Sequence, residues 1–262
     1  MNKKSDENII HTKDFSIVHA IMHASDQNTL VVFDVDEVLL TASDQILQNH
    51  AYANEKLWAI SEQVGLPEFW NLISILFMQR KAKHVDMKFV PLLNELKNRG
   101  IKTIALTNCQ TSGVGQMSSM KDWRLNELKN LGYHFEDSWQ NTPEIIFEDL
   151  LTEYEGTFPI FAEGVLFTNN IPKGKVLQAF LAYKQYMPHK IVFIDDRLEY
   201  LESVREIAKE AAIPYTGIHY TTMDTGNKHN LCEKRASLQL EVLMKEKIWI
   251  SDKDADERMK RG

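Results

Sequence analysis

Three stretches of the chain share one form: a short, continuous apolar run that ends abruptly in polar residues. They are Thr29–Asp36 (TLVVFDVD), Ile101–Asn108 (IKTIALTN) and Lys190–Asp196 (KIVFIDD). A run without polar alternation, rich in β-branched residues, suits a strand covered on both faces, as in a parallel sheet. Between the runs, apolar residues recur every three or four positions, which predicts amphipathic helices. Phe89–Arg99 carries Val90, Leu92, Leu93 and Leu96 and is followed by Gly100, while Lys121–Leu131 is followed by Gly132. Glycine just past the last turn ends a helix readily, because it takes a left-handed backbone without a Cβ clash. Lys175–Tyr186 sets Val176, Leu177, Phe180 and Leu181 on one face and ends before Pro188; Leu198–Ala212 does the same with Leu198, Leu201, Val204 and Ala208. An earlier helical segment, Ile17–Ala24, breaks at Ser25–Asn28.

Strands alternating with helices predict an α/β fold, a doubly wound Rossmann-like parallel sheet. Ligands of such sheets bind beyond the carboxyl ends of the strands, near the point where the strand order reverses. Those ends carry Asp34, Thr107 and Asp195. Two stretches break the alternation. Residues 43–85 are helical and mixed in character, which predicts a small helical cap inserted after the first run; Trp58, Phe69, Trp70 and Phe77 read as its core, with pocket lining as the alternative. Residues 139–172 include Phe158–Thr168, one or two strands about Glu163–Gly164, and read as a hairpin insertion beside the site. Residues 1–42 and 86–262 are assigned to the core, and the charged tail SDKDADERMKRG to a frayed or helical surface segment.

Composition narrows the function. With 262 residues, 44% hydrophobic and 26% charged, the chain has ample material for a globular core. A net charge of −7 disfavours a broad surface tracking nucleic acid, so no such partner is expected. Two cysteines, Cys109 and Cys232, are too few for a disulfide framework and fit a reducing compartment. The start is basic but lacks an uninterrupted apolar segment of the signal-peptide kind, and no stretch is long and apolar enough to cross a bilayer. A cytoplasmic location without a membrane partner is expected, with export by a dedicated secretion machine left open.

Candidate chemistry centres on Asp34-Val-Asp36. At a strand end, residues two apart are able to aim both carboxylates at one point, one as nucleophile and its neighbour as proton carrier. Asp195-Asp196 ends another run and brings more negative charge to the same edge. Carboxylates gathered there repel unless a cation sits among them, and oxygen ligands beside a phosphate favour Mg²⁺.

In this pattern the chain resembles the haloacid dehalogenase superfamily, phosphatase branch, whose four motifs occur in order. They are Asp34-Val-Asp36-Glu37-Val38, Leu106-Thr107-Asn108, Lys173-Gly174-Lys175-Val176-Leu177 and Phe193-Ile194-Asp195-Asp196. The resemblance implies a phosphomonoester hydrolase with an aspartyl-phosphate intermediate, acting on a small phosphorylated substrate. It implies Asp34 as nucleophile, Asp36 as acid and base, Thr107 and the Asn108 backbone N–H on the phosphate oxygens, and Lys173 offsetting charge. It further implies Mg²⁺ held by Asp34, the Asp36 carbonyl, Asp195 and Asp196. Val38 stands where Thr is commoner, and Lys175 competes with Lys173 for the third motif. The alternatives are a phosphotransferase or mutase using the same intermediate, and a catalytically weak scaffold, exported or not, that binds another protein.

Other signals carry less. His19 and His23 have metal-ligand spacing but no nearby carboxylate in sequence. Pro172-Lys-Gly-Lys-Val lacks the glycine spacing and the Ser or Thr of a phosphate loop. Ser112–Gly115 reads as a flexible loop, Cys109 as a packing residue, and Arg124 as a solvated surface arginine with reach to an anionic substrate as the alternative.

Overall fold

The computed structural model describes residues 8–150, 156–223 and 231–261. The basic start (residues 1–7), residues 151–155 of the insertion and Gly262 of the tail lie outside the described residues. The strands are β1 (Ile9–Thr12), β2 (Thr29–Phe33), β3 (Leu40–Ala42), β4 (Ala82–His84), β5 (Lys102–Thr107), β6 (Ile145–Ile146), β7 (Ile160–Ala162), β8 (Val165–Phe167), β9 (Lys190–Asp195) and β10 (Tyr215–Tyr220). The helices are α1 (Phe15–His23), α2 (Gln45–Gln48), α3 (His50–Val64), α4 (Leu66–Gln79), α5 (Phe89–Asn98), α6 (Met120–Asn130), α7 (Lys173–Tyr183), α8 (Leu198–Glu210), α9 (Glu233–Glu246) and α10 (Asp252–Arg261).

The central sheet has eight strands in the order β1-β10-β9-β2-β5-β8-β7-β6. Pairing is parallel from β1 through β8 and antiparallel for β7 and β6. From β2 the chain moves outward to β5 and then β8; from β9 it moves the other way, to β10. The order therefore reverses between β2 and β9, and a cleft at the strand ends is expected there. The fold is the doubly wound α/β sheet read from the sequence.

All five residues of β2 are buried because both faces are covered. Leu30 and Val32 share one apolar cluster with Ile104, Phe193 and the inner faces of α7 and α8. Phe33, on the opposite face, meets Phe89 of α5 and Phe135 edge-on or tilted. The insertion at 139–172 extends this sheet: β8 pairs in parallel with β5, and β7 folds back on β8. Its turn has Glu163 and Gly164 both at positive φ, 51° and 77°, the pattern of a type I′ hairpin.

The chain divides into two compact units. The first contains the sheet and comprises the described residues to Leu40, then His84–Thr111 and Arg124–Met223. The second is helical and comprises Thr41–Lys83, Ser112–Trp123 and the described residues after Met223. The sequence assigned only 43–85 to a cap and everything after 86 to the core. The C-terminal helices instead join the helical unit because α9 supplies Ala236, Leu240 and Leu243 to the cluster of Ile46, Ile60, Leu72 and Leu76. Asp44, itself buried, accepts from the Trp249 indole N–H and the Asp252 backbone N–H, both at 2.9 Å. In this unit Phe69 and Phe77 pack into the cluster, whereas Trp58 and Trp70 are exposed. Ser112–Gly115 leads into a tight turn in which Val114 and Met117 exchange both backbone hydrogen bonds.

Helix α7 begins at Lys173, two residues earlier than its periodicity indicated, and lies against α8 with Gly174 at the contact. A Cβ added at Gly174 would lie 2.1 Å from the Ser203 carbonyl oxygen. Gly174→Ala is therefore expected to force the two helices apart and to cost about 1–3 kcal/mol of stability, measurable by urea denaturation.

Candidate active site

The last bond of β2 to its neighbour places the first carboxylate. Asp34 lies one residue past the strand, and its N–H still donates to the Ile194 carbonyl at 2.9 Å. Asp195 ends β9, and Asp196 follows it. Carboxylate oxygens of Asp34, Asp195 and Asp196 all lie within 4.8 Å of one another. Lys173 enters from the first position of α7, where Pro172 is the residue before the helix. Its Nζ donates to Asp34 Oδ1 at 2.5 Å and to Asp195 Oδ2 at 2.7 Å. The ammonium is 1% exposed and lies 4.4 Å from the centre of the Tyr200 ring. Lys175 is exposed, so the ambiguity between the two lysines ends in favour of Lys173.

Burial sets the electrostatics. It raises the Asp34 carboxyl well above its usual range, with the Asp195 charge adding to the shift and Lys173 opposing it. Burial likewise raises Asp195 against the pull of Lys173, and pushes Asp196 up to about 7 with help from the Asp34 charge. For Lys173, burial disfavours the charge, yet the Asp195 and Asp34 carboxylates outweigh it and the net shift is upward. With all three aspartates ionised, one ammonium leaves an excess of two negative charges, which a divalent cation would neutralise. An all-carboxylate donor set fits a hard cation such as Mg²⁺. It is the one group of three or more His, Cys, Asp or Glu side chains among the described residues placed to hold a metal.

The other expected residues are placed differently. Thr107 ends β5, fully buried, and its hydroxyl has no hydrogen-bond partner among the described residues. A buried hydroxyl left unpaired costs about 1–3 kcal/mol. The Asn108 side chain ties the next loop: its Oδ1 accepts from Thr168 Oγ1 at 2.8 Å and Asn170 N–H at 3.1 Å, and its Nδ2 donates to Tyr200 Oη at 3.3 Å.

Asp36 does not join the acidic cluster. Both its oxygens accept from Arg124 Nη2, at 2.8 and 3.0 Å, while Arg124 Nη1 donates to Glu127 Oε2 at 2.9 Å. Arg124, read from the sequence as a solvated surface residue, is 5% exposed. Nothing in its local pattern shows this, because the partner carboxylate lies 88 residues away. Cys109 is buried nearby, and burial pushes its thiol up to about 11, in keeping with packing.

The model of the family described as "Protein of unknown function (DUF2608)" matches residues 11–256. The chain belongs to the DUF2608 family. An uncharacterized protein of Rickettsia prowazekii (strain Madrid E) is 25% identical over 249 residues, covering 94% of this chain and 88% of the relative. A Chlamydia trachomatis protein named "Putative outer membrane protein" is 25% identical over 227 residues, 83% of this chain and 78% of its own. Among solved structures, a hydrolase described as a haloacid dehalogenase-like family protein of Streptococcus pneumoniae matches with a TM-score of 0.39 and 15% identity, covering 76% of this chain and 98% of that one.

In this DUF2608 chain the fold also supplies a partner that His19 and His23 lacked in sequence. Glu95 of α5 meets His19 Nε2 at 3.2 Å and His23 Nδ1 at 3.1 Å, and the imidazoles stack with centroids 5.8 Å apart. No helix among the described residues is long and apolar enough to cross a membrane.

Lys173→Met leaves Asp34 and Asp195 buried without their ammonium and is expected to cost about 3–5 kcal/mol near neutral pH. Because the folded-state carboxyls titrate above their unfolded values, the folded protein keeps protons that the unfolded chain releases. Stability carried by the neutral carboxyls is thus lost as pH rises toward about 7. The Lys173→Met deficit should shrink as pH is lowered from about 7.5 to about 5, measured by urea titration at each pH.

Proposed function

We propose that this chain is a magnesium-dependent phosphomonoester hydrolase working through an aspartyl-phosphate on Asp34. The observation that carries the reading is the buried Lys173 ammonium shared by Asp34 and Asp195, with Asp196 alongside. Such a cluster of like charges is costly to bury, and a binding scaffold has no need of it.

In the proposed reaction Asp34 attacks phosphorus in line, forming the acyl phosphate and releasing the alkoxide. Asp36 supplies a proton to that leaving oxygen and later takes one from the water that hydrolyses the intermediate. The Thr107 hydroxyl and the Asn108 backbone N–H bind non-bridging phosphate oxygens, and the former thereby gains the partner it lacks among the described residues. Lys173 keeps Asp34 ionised and oriented, and offsets charge building on the phosphoryl group. Asp34, Asp195, Asp196 and the Asp36 carbonyl would hold Mg²⁺. A bound Mg²⁺ lowers the repulsion between the anionic nucleophile and the phosphate.

The substrate class is a small phosphorylated molecule, without nucleic-acid or membrane partners. The location in this reading is cytoplasmic, and the outer-membrane name carried by the chlamydial relative makes cell fractionation the relevant check.

A generic aryl phosphate should be hydrolysed with Mg²⁺ and spared with EDTA or in Asp34→Asn; no turnover across a broad phosphate panel sinks the reading. Mg²⁺ should raise the melting temperature of the wild type more at about pH 7.5 than at about pH 5.5, since protons compete for the same raised carboxyls, and Asp196→Asn should weaken the effect.

A further inference from the structure

Asp36 stands outside the acidic cluster, at a turn. The next residue, Glu37, has a φ of 61°, and its N–H donates to the Leu40 carbonyl at 2.8 Å, closing the loop around Asp36. The Asp36 side chain is half exposed, whereas Arg124, which grips it, is 6% exposed and Glu127 behind it 11%. A half-exposed aspartate with no such partner would sample several rotamers. Here one guanidinium nitrogen spans both carboxylate oxygens, and the guanidinium is itself steadied by Glu127 one helical turn on.

Stability does not account for this triad. Desolvating a guanidinium is expensive, and a buried ion pair is often matched or bettered by apolar residues of similar size. An apolar side chain in place of Arg124 would fill the same space beside Cys109 and leave Asp36 free to turn into solvent. What the arginine adds is orientation of one particular carboxylate, two residues from the proposed nucleophile.

We propose that Arg124 is a positioning residue that holds the Asp36 carboxylate in place for proton transfer, with Glu127 bracing the guanidinium. The inference rests on the phosphatase reading. In this role Arg124 acts through Asp36, which it holds by both carboxylate oxygens. Because Asp36 serves both half-reactions, its misplacement slows the formation and the hydrolysis of the aspartyl-phosphate while the phosphate-binding groups stay intact. The signature is a fall in kcat at nearly constant KM in a variant whose melting temperature shows it fully folded at the assay temperature.

The test compares wild type, Arg124→Lys and Arg124→Met with an aryl phosphate and Mg²⁺, recording kcat, KM and melting temperature together. The lysine variant keeps the charge and loses the planar fork; the methionine variant keeps the volume and loses both. Folded variants should show kcat reduced by roughly 10²-fold, with KM changed by less than about threefold. A folded Arg124→Lys with wild-type kcat overturns the proposal, as does an equal fall in kcat and rise in KM. Failure of both variants to fold would make the triad a stability element and also overturn it. An inert wild type defeats the phosphatase reading itself, whereas an active wild type beside unaffected variants defeats this inference alone.

Discussion

A single buried ammonium governs the electrostatics at the strand ends of this protein. Lys173 donates to aspartates from two neighbouring strands, and the desolvation that makes those carboxylates hard to ionise is offset mainly by that cation. The arrangement demands that α7 begin at the edge of the sheet, and Gly174 lets it do so by admitting Ser203 of α8 to close contact. Packing and electrostatics are therefore linked at adjacent residues: one supplies the charge, the next the space.

The sheet order makes the meeting possible. β2 and β9 are neighbours although some 160 residues separate them, and their connections leave in opposite directions. Strands diverging this way leave an opening at their carboxyl ends, where main-chain groups are not consumed by a crossover. Asp34 and Asp195 fall there because each directly ends or follows an apolar run, and burial of both sheet faces pins the register of those runs. In the proposed reaction the same edge binds phosphate through Thr107, whose buried hydroxyl has no partner among the described residues.

Two carboxylates close in sequence come to have different surroundings. Asp34 is buried against a lysine inside the acidic cluster, whereas Asp36 is half exposed and bound to Arg124. The chain turns just after them, where Glu37 has a φ of 61°. In the proposed reaction a nucleophile and a proton carrier need such different surroundings, which come here from partners on α7 and α6 respectively.

The sequence by itself determined the strand runs, most helices and the identity of the acidic strand ends, because period and polarity are local properties that burial imposes residue by residue. The order of its motifs pointed to Asp34, Asp36, Thr107, Asn108, Lys173, Asp195 and Asp196 as candidates, and of these the fold gathers Asp34, Lys173, Asp195 and Asp196. Only the tertiary structure decided which lysine meets the aspartates, since Lys173 and Lys175 differ by two positions and helix phase alone buries one and exposes the other. It decided as well that Arg124 is a buried partner of Asp36, that Glu95 stands between His19 and His23, and that α9 completes the helical unit begun near Thr41. These contacts join groups between about 20 and 200 residues apart, whose juxtaposition follows from packing of the whole chain.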